Sequence, residues 1–158
     1  MPELPNCDAM FFGAHPDDVE IFAGGLAAKL AKAGRRVVIA DATRGEMGTR
    51  GTQEERALEA ASAAQILGVS RINLDLPDGR IAEDIPAATR SAVKAIREHR
   101  PALIFVHEPG DHHPDHHALS QAVKFASFQS NVLKYETGQE RFRPKRLFYY
   151  VGSRQRFP

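Results

Sequence analysis

The chain has 158 residues, 42% hydrophobic and 26% charged, with 12 glycines and 10 prolines, which is the composition of one globular domain rather than a disordered or collagenous chain. No apolar run approaches the ~18 residues of a membrane span, Glu3 and Asp8 rather than a basic region precede the apolar stretch Ala9–Ala14, and the single cysteine, Cys7, rules out an internal disulfide and a cysteine-rich zinc module, so the expectation is a cytoplasmic protein with no membrane partner and no signal peptide. The formal net charge of +1 is unevenly spread: residues 141–158 hold Arg141, Arg143, Lys145, Arg146, Arg154 and Arg156 and no acid, which leaves a net-negative body that argues against nucleic acid as a partner.

In chain order, Ala9–Ala14 reads as a buried strand, and Val19–Ala33 carries Ile21, Leu26, Ala27 and Leu30 at helical spacing before a stop at Gly34. Val37–Ala42 is a β-branched strand and Thr43–Thr52 a loop. The alanine-rich segment Gln53–Leu67 is a helix opened by a Thr52/Glu55 capping box and stopped by Gly68. Ile72–Leu76 reads as a strand, Pro77-Asp78-Gly79 as a turn, Ile85–His99 as a helix and Ala102–Val106 as a strand. A histidine-rich loop, a helix over Leu119–Phe128 and a strand over Leu147–Val151 complete the chain. Strands alternating with helices of this length imply βαβ crossovers. The expected fold is therefore α/β: a Rossmann-like three-layer α/β/α domain over residues 1–158, with a mostly parallel sheet and its site at the carboxyl ends of the strands. His15–Asp18, Thr43–Glu46, Pro77–Gly79 and His107–His117 all follow predicted strands, so the unusual polar residues gather on that edge.

Five of the seven histidines, His107, His112, His113, His116 and His117, lie within eleven residues. His15 and Asp18 are three apart at a strand-to-helix junction, a spacing that brings two side chains to one side of a first helical turn, and His113 and His116 repeat it. Neutral imidazole plus carboxylate suits a borderline divalent ion, and three protein ligands with one open position is the catalytic pattern. Asp17 and Asp18 are adjacent and cannot point the same way, so one can hold the ion while its neighbour faces a bound water. Such an ion lowers the pKa of its water towards about 7. Amide hydrolysis further needs a proton for the leaving amine and stabilisation of the oxyanion, roles open to Asp17 and to a protonated histidine.

Ala14-His-Pro-Asp-Asp18, Gly24-Gly25, Thr43-Arg-Gly-Glu46, Leu76-Pro-Asp-Gly79 and His113-Pro-Asp-His116 together resemble the LmbE-like (PIG-L) family of zinc-dependent N-acetylglucosamine deacetylases, from about Phe11 to Tyr150. The Thr43–Thr52 loop, Arg56 and the Leu147–Tyr150 ending are most similar to its bacillithiol-biosynthesis branch, which deacetylates N-acetylglucosaminyl-malate. The resemblance implies one Zn2+ per chain, with Fe2+ as the alternative, held by His15, Asp18 and His116. It implies Asp17 as general base, His113 as the oxyanion-side histidine oriented by Asp115, and Arg56 as a substrate-binding residue whose fork suits a malate carboxylate. It implies a small-molecule sugar conjugate as substrate and a homo-oligomer, commonly a hexamer. Relatives often carry arginine where this chain has His112, a second substrate-side candidate with Asp78. They also usually continue with a further strand and helix beyond the position of Pro158.

Plainer readings stand beside these. His107 reads as a strand-end residue, His112 and His117 as solvent-facing, and Asp78 as a loop hydrogen-bonder. Asp111-His-His113 and Asp115-His-His117 each spell the DHH signature of two-metal phosphoesterases, for which Asp41 and Asp75 are the available strand-end aspartates. A non-catalytic metal-binding protein is the third alternative.

Overall fold

A strand that is apolar on both faces belongs in the middle of a sheet covered on both sides, and β1 (Cys7–Gly13) is such a strand: Met10, Phe11 and Phe12 are completely buried. The computed structural model describes residues 6–152, so Arg154 and Arg156 of the basic end lie outside the described residues. Around β1 run β2 (Val37–Asp41), β3 (Ser70–Asn73), β4 (Pro101–His107) and β5 (Arg146–Tyr150), all parallel, in the order β3-β2-β1-β4-β5. The crossovers are α1 (Asp18–Lys32), α2 (Gln53–Leu67), α3 (Ile85–His99), which follows a 3₁₀ turn at Ile81–Asp84, and α4 (Pro114–Gln129).

Alternation along β1 divides the core in two. Ala9 and Phe11 join Val37 and Ile39 under Val19, Ala23 and Ala27 of α1, whereas Met10 and Phe12 join Val38, Ile104 and Val106 under Ala92, Val93 and Ile96 of α3 and Leu119, Ala122 and Val123 of α4. This is the expected three-layer α/β/α arrangement. Among the described residues no helix is long and apolar enough to cross a membrane.

From β1 the chain winds outward through β2 to β3, then crosses to β4 on the other side of β1. The switch point lies between the carboxyl ends of β1 and β4, where open α/β sheets bind ligands. The residues that follow those two strands are His15–Asp18 and the histidine-rich segment.

Two elements depart from the sequence expectation. β3 starts at Ser70 and ends at Asn73, ahead of the expected Ile72–Leu76, because Asp75 adopts a left-handed φ of 54° that turns the chain out of the sheet. α4 begins at Pro114 rather than at Leu119, so the second histidine motif is the first turn of a helix and not a loop. Proline fits this first position, and His113 caps the helix by accepting the Asp115 N–H on Nδ1 at 3.2 Å. Away from the site, buried Arg97 donates to the carbonyls of Ser130, Val132 and Tyr135 and to Thr137 Oγ1, at 2.6–3.0 Å, tying the segment after α4 to α3.

Candidate active site

Asp18 is the junction of the cluster. As the first residue of α1 it turns back so that Oδ2 accepts the His15 N–H at 2.8 Å and stands 3.3 Å from His15 Nδ1, while Oδ1 stands 3.2 Å from Nε2 of His116 on α4. Burial pushes the Asp18 carboxyl up, but the surrounding histidines, His107, His116 and His15, outweigh it and hold the group far below the usual carboxylate range. His15 answers in kind: burial disfavours its charge, yet Asp115, Asp18 and Asp78 raise it to about 10. Three overlapping sets bring one ligand atom per residue within 4.8 Å: His15, His113 and His116; Asp18, His107 and His116; and His15, Asp78 and Asp115. The expected ligands His15, Asp18 and His116 are not one of these sets; Asp18 contacts the two histidines separately, one through each carboxylate oxygen. Two imidazoles and a buried carboxylate at an open loop edge fit a borderline divalent ion.

A second layer of side chains surrounds these ligands that the sequence does not announce. Asp111 Oδ2 lies 3.0 Å from His116 Nδ1, with Asp111 almost wholly buried, the carboxylate–histidine arrangement that leaves Nε2 to a metal. His107 is more than the strand-end residue its position suggests. It is completely buried, accepts the Ala14 N–H on Nε2 at 3.1 Å, lies 3.3 Å from Asp18 Oδ2 and stacks on His116 with centroids 3.8 Å apart. Burial keeps its pKa below the ordinary histidine value. The accumulation of histidines is the only sequence signal for it, and Asp111 is marked only by the Asp111-His-His113 run, which points to a different kind of site.

The expected catalytic residues are also placed. Asp17 is the N-cap residue of α1 but caps with no side-chain hydrogen bond; its side chain is 55% exposed, with Arg56 Nη2 3.7 Å from Oδ2. Loop 43–52 folds around that guanidinium so closely that a Cβ on Gly45 would lie 2.8 Å from Arg56 Nε, and one on Gly48 2.8 Å from Nη1. Burial and the neighbouring His116 and His15 lower the pKa of His113, and with Nδ1 accepting a backbone N–H the nitrogen left to donate is Nε2.

Asp115 does not orient the His113 ring with its carboxylate, contrary to the expectation from the resemblance. That group accepts from Gly79 N at 2.7 Å and Ile81 N at 3.2 Å and lies 3.3 Å from His15 Nε2, since α4 starts early and turns Asp115 towards the turn after β3. Asp78, expected on the substrate side, is 7% exposed and faces His15 and Met47 N. His112 points outward, half-exposed, with Nδ1 3.6 Å from Asp111 Oδ1. The two-metal alternative loses its aspartates: Asp41 is paired with Arg71 at 2.6 Å and Asp75 with Arg44 at 2.7 Å.

Residues 10–127 match the family model described as PIG-L: GlcNAc-PI de-N-acetylase. The chain is 33% identical over 154 residues to a 1D-myo-inositol 2-acetamido-2-deoxy-alpha-D-glucopyranoside deacetylase of Kineococcus radiotolerans, covering 72% of this chain and 43% of the relative. It is 35% identical over 129 residues to the diacetylchitobiose deacetylase of Thermococcus kodakarensis, covering 72% and 47%. It therefore spans about half the length of these curated relatives. Among solved structures, the conserved protein TT1542 from Thermus thermophilus superposes with a TM-score of 0.90 at 40% identity, covering 96% of this chain and 69% of that one. Since the matched residues include both halves of the histidine–aspartate cluster, the chain belongs to the PIG-L, or LmbE-like, family.

Proposed function

We propose that the protein is a zinc-dependent hydrolase that removes the N-acetyl group from an N-acetylglucosamine conjugate, with N-acetylglucosaminyl-malate of bacillithiol biosynthesis as the substrate. One observation carries the reading: Asp17, half exposed and free of any capping duty, immediately precedes Asp18 of the His15–Asp18–His116 cluster, and Arg56 Nη2 stands 3.7 Å from its carboxylate. His15, Asp18 and His116 would hold the ion, which when bound supplies Lewis-acid polarisation and a water acidic enough to react at neutral pH. Asp17 takes the proton of the attacking water and returns it to the leaving amine. The Nε2–H of His113 donates to the carbonyl oxygen as charge develops there. Arg56 remains wrapped by loop 43–52, so its fork is held in advance for a carboxylate of the aglycone.

The test is amine release from N-acetylglucosamine joined to malate, to inositol and to a second sugar, assayed side by side with zinc-loaded protein. The malate conjugate is expected to react with the highest kcat/KM, and Asp17→Asn to keep its metal while kcat falls by ~10²–10⁴. An Asp17→Asn protein with full metal content and undiminished kcat would overturn the mechanism. In the same reading the protein works as a homo-oligomer, and exposed Leu58 and Ile66 on α2 supply apolar surface for it; sedimentation at equilibrium is the check.

A further inference from the structure

Asp78 lies where the turn after β3, the loop after β2 and the turn after β1 meet. Its Oδ1 is 3.1 Å from His15 Nε2, its Oδ2 accepts Met47 N–H at 2.8 Å, and its own N–H donates to Glu46 at 2.9 Å. Asp115, 1% exposed, faces the same histidine nitrogen at 3.3 Å while accepting the Gly79 and Ile81 N–H groups. With no ion between the three groups, two anchored carboxylates facing one imidazole nitrogen hold it as an N–H donor. In neutral His15 the lone pair then lies on Nδ1, the atom that stands 3.3 Å from Asp18.

We propose that Asp78 is a positioning residue rather than a substrate contact: with Asp115 it fixes the tautomer and ring orientation of His15 so that Nδ1 is presented beside Asp18. The same carboxylate links His15 to the loop that encloses Arg56. Met47 belongs to that loop, and it sits so close to the turn that a Cβ on Gly79 would lie 2.7 Å from Met47 Sδ. The inference rests on the reading that His15, Asp18 and His116 hold the metal.

The experiment is Zn2+ affinity, measured by competition with a chromophoric chelator, for metal-stripped wild type, Asp78→Asn, Asp78→Ala and Glu46→Gln. Circular dichroism checks each fold. Both Asp78 variants are expected to bind zinc about 10–100-fold more weakly, whereas Glu46→Gln, which touches the backbone N–H groups of Asp78 and Arg44 but neither carboxylate that faces His15, stays within about twofold of wild type. In wild type, 15N-detected histidine spectra of the zinc form should show His15 protonated on Nε2 alone. In either variant they should show loss of that single tautomer. Two variants are used so that failure of one to fold leaves the other to decide. A folded Asp78 variant with wild-type zinc affinity and an unchanged His15 spectrum would overturn the proposal and return Asp78 to the substrate side. Wild-type protein that takes up no zinc would instead overturn the metal reading beneath it.

Discussion

Metal uptake by this protein should expel a proton from His15. Burial disfavours the charged ring, but the carboxylates of Asp115, Asp18 and Asp78 more than compensate and raise its pKa from 6.5 to about 10. At pH 7.5 a group with that pKa is neutral in only about 0.3% of molecules. An ion needs the lone pair on an imidazole nitrogen, so binding must release close to one proton from His15. Asp18 and Asp111 shift His116 in the same direction against the effect of burial. Apparent affinity should therefore rise by about tenfold per pH unit between pH 7 and 8, or about 1.4 kcal/mol. Calorimetric titration of zinc into metal-free protein, repeated in buffers of different ionisation enthalpy, reads the proton count directly from the slope. A slope of zero at pH 7.5 would refute the reasoning. The same shift has a stability consequence. A histidine whose folded pKa exceeds its unfolded value contributes stability that is fully present below pH 6.5 and lost as the pH rises through about 10. Urea midpoints of metal-free protein should fall across that window, and metal-loaded protein should lack this component.

Arg56→Ala should raise KM for the malate conjugate far more than for plain N-acetylglucosamine, by a contact worth about 1.5–3 kcal/mol; equal losses on both would mean a structural role. Gly152→Ala should weaken zinc binding with no change of any ligand, since a Cβ there would overlap the Asp111 oxygen that holds His116; unchanged affinity in a chelator competition would contradict this. Arg97→Met removes donors from the three carbonyls after α4 and should cost about 3 kcal/mol or more in urea unfolding, with zinc affinity in the folded protein preserved.

Elements whose ends are decided by their own residues are legible in the sequence, and those decided by partners are not. α2 runs from Gln53 to Leu67 as expected because Thr52 and Glu55 cap each other at one end and Gly68 takes a left-handed conformation at the other. The start of α4 is hidden because His112–His117 carries none of the usual cap residues ahead of Pro114; an imidazole nitrogen does the capping. The site follows the same division. The three-residue spacing of His15 with Asp18 is local, and Asp18 bonds straight back to His15 N. The groups that hold those ligands lie on other strands: His107 reaches Ala14 across 93 residues of chain, and Asp78 reaches His15 from the turn after β3. No periodicity carries such pairings. The family resemblance therefore assigns Asp115 to His113, and position alone leaves Asp78 between the substrate side and loop hydrogen bonding, whereas in the structure both carboxylates face His15.

The placement of the two ligand segments also sets the order in which the protein can be built. His15 and Asp18 leave the ribosome about a hundred residues ahead of His116, an interval of roughly 5–20 s at ordinary translation rates. During that interval the first pair has no second imidazole to complete a site, and β1 lacks β4, its neighbour across the switch point. A zinc finger can fold around its ion because its ligands lie close together on one short segment. On the proposed metal assignment the sheet would close first, and an ion would enter a framework in which carboxylates already face the histidines.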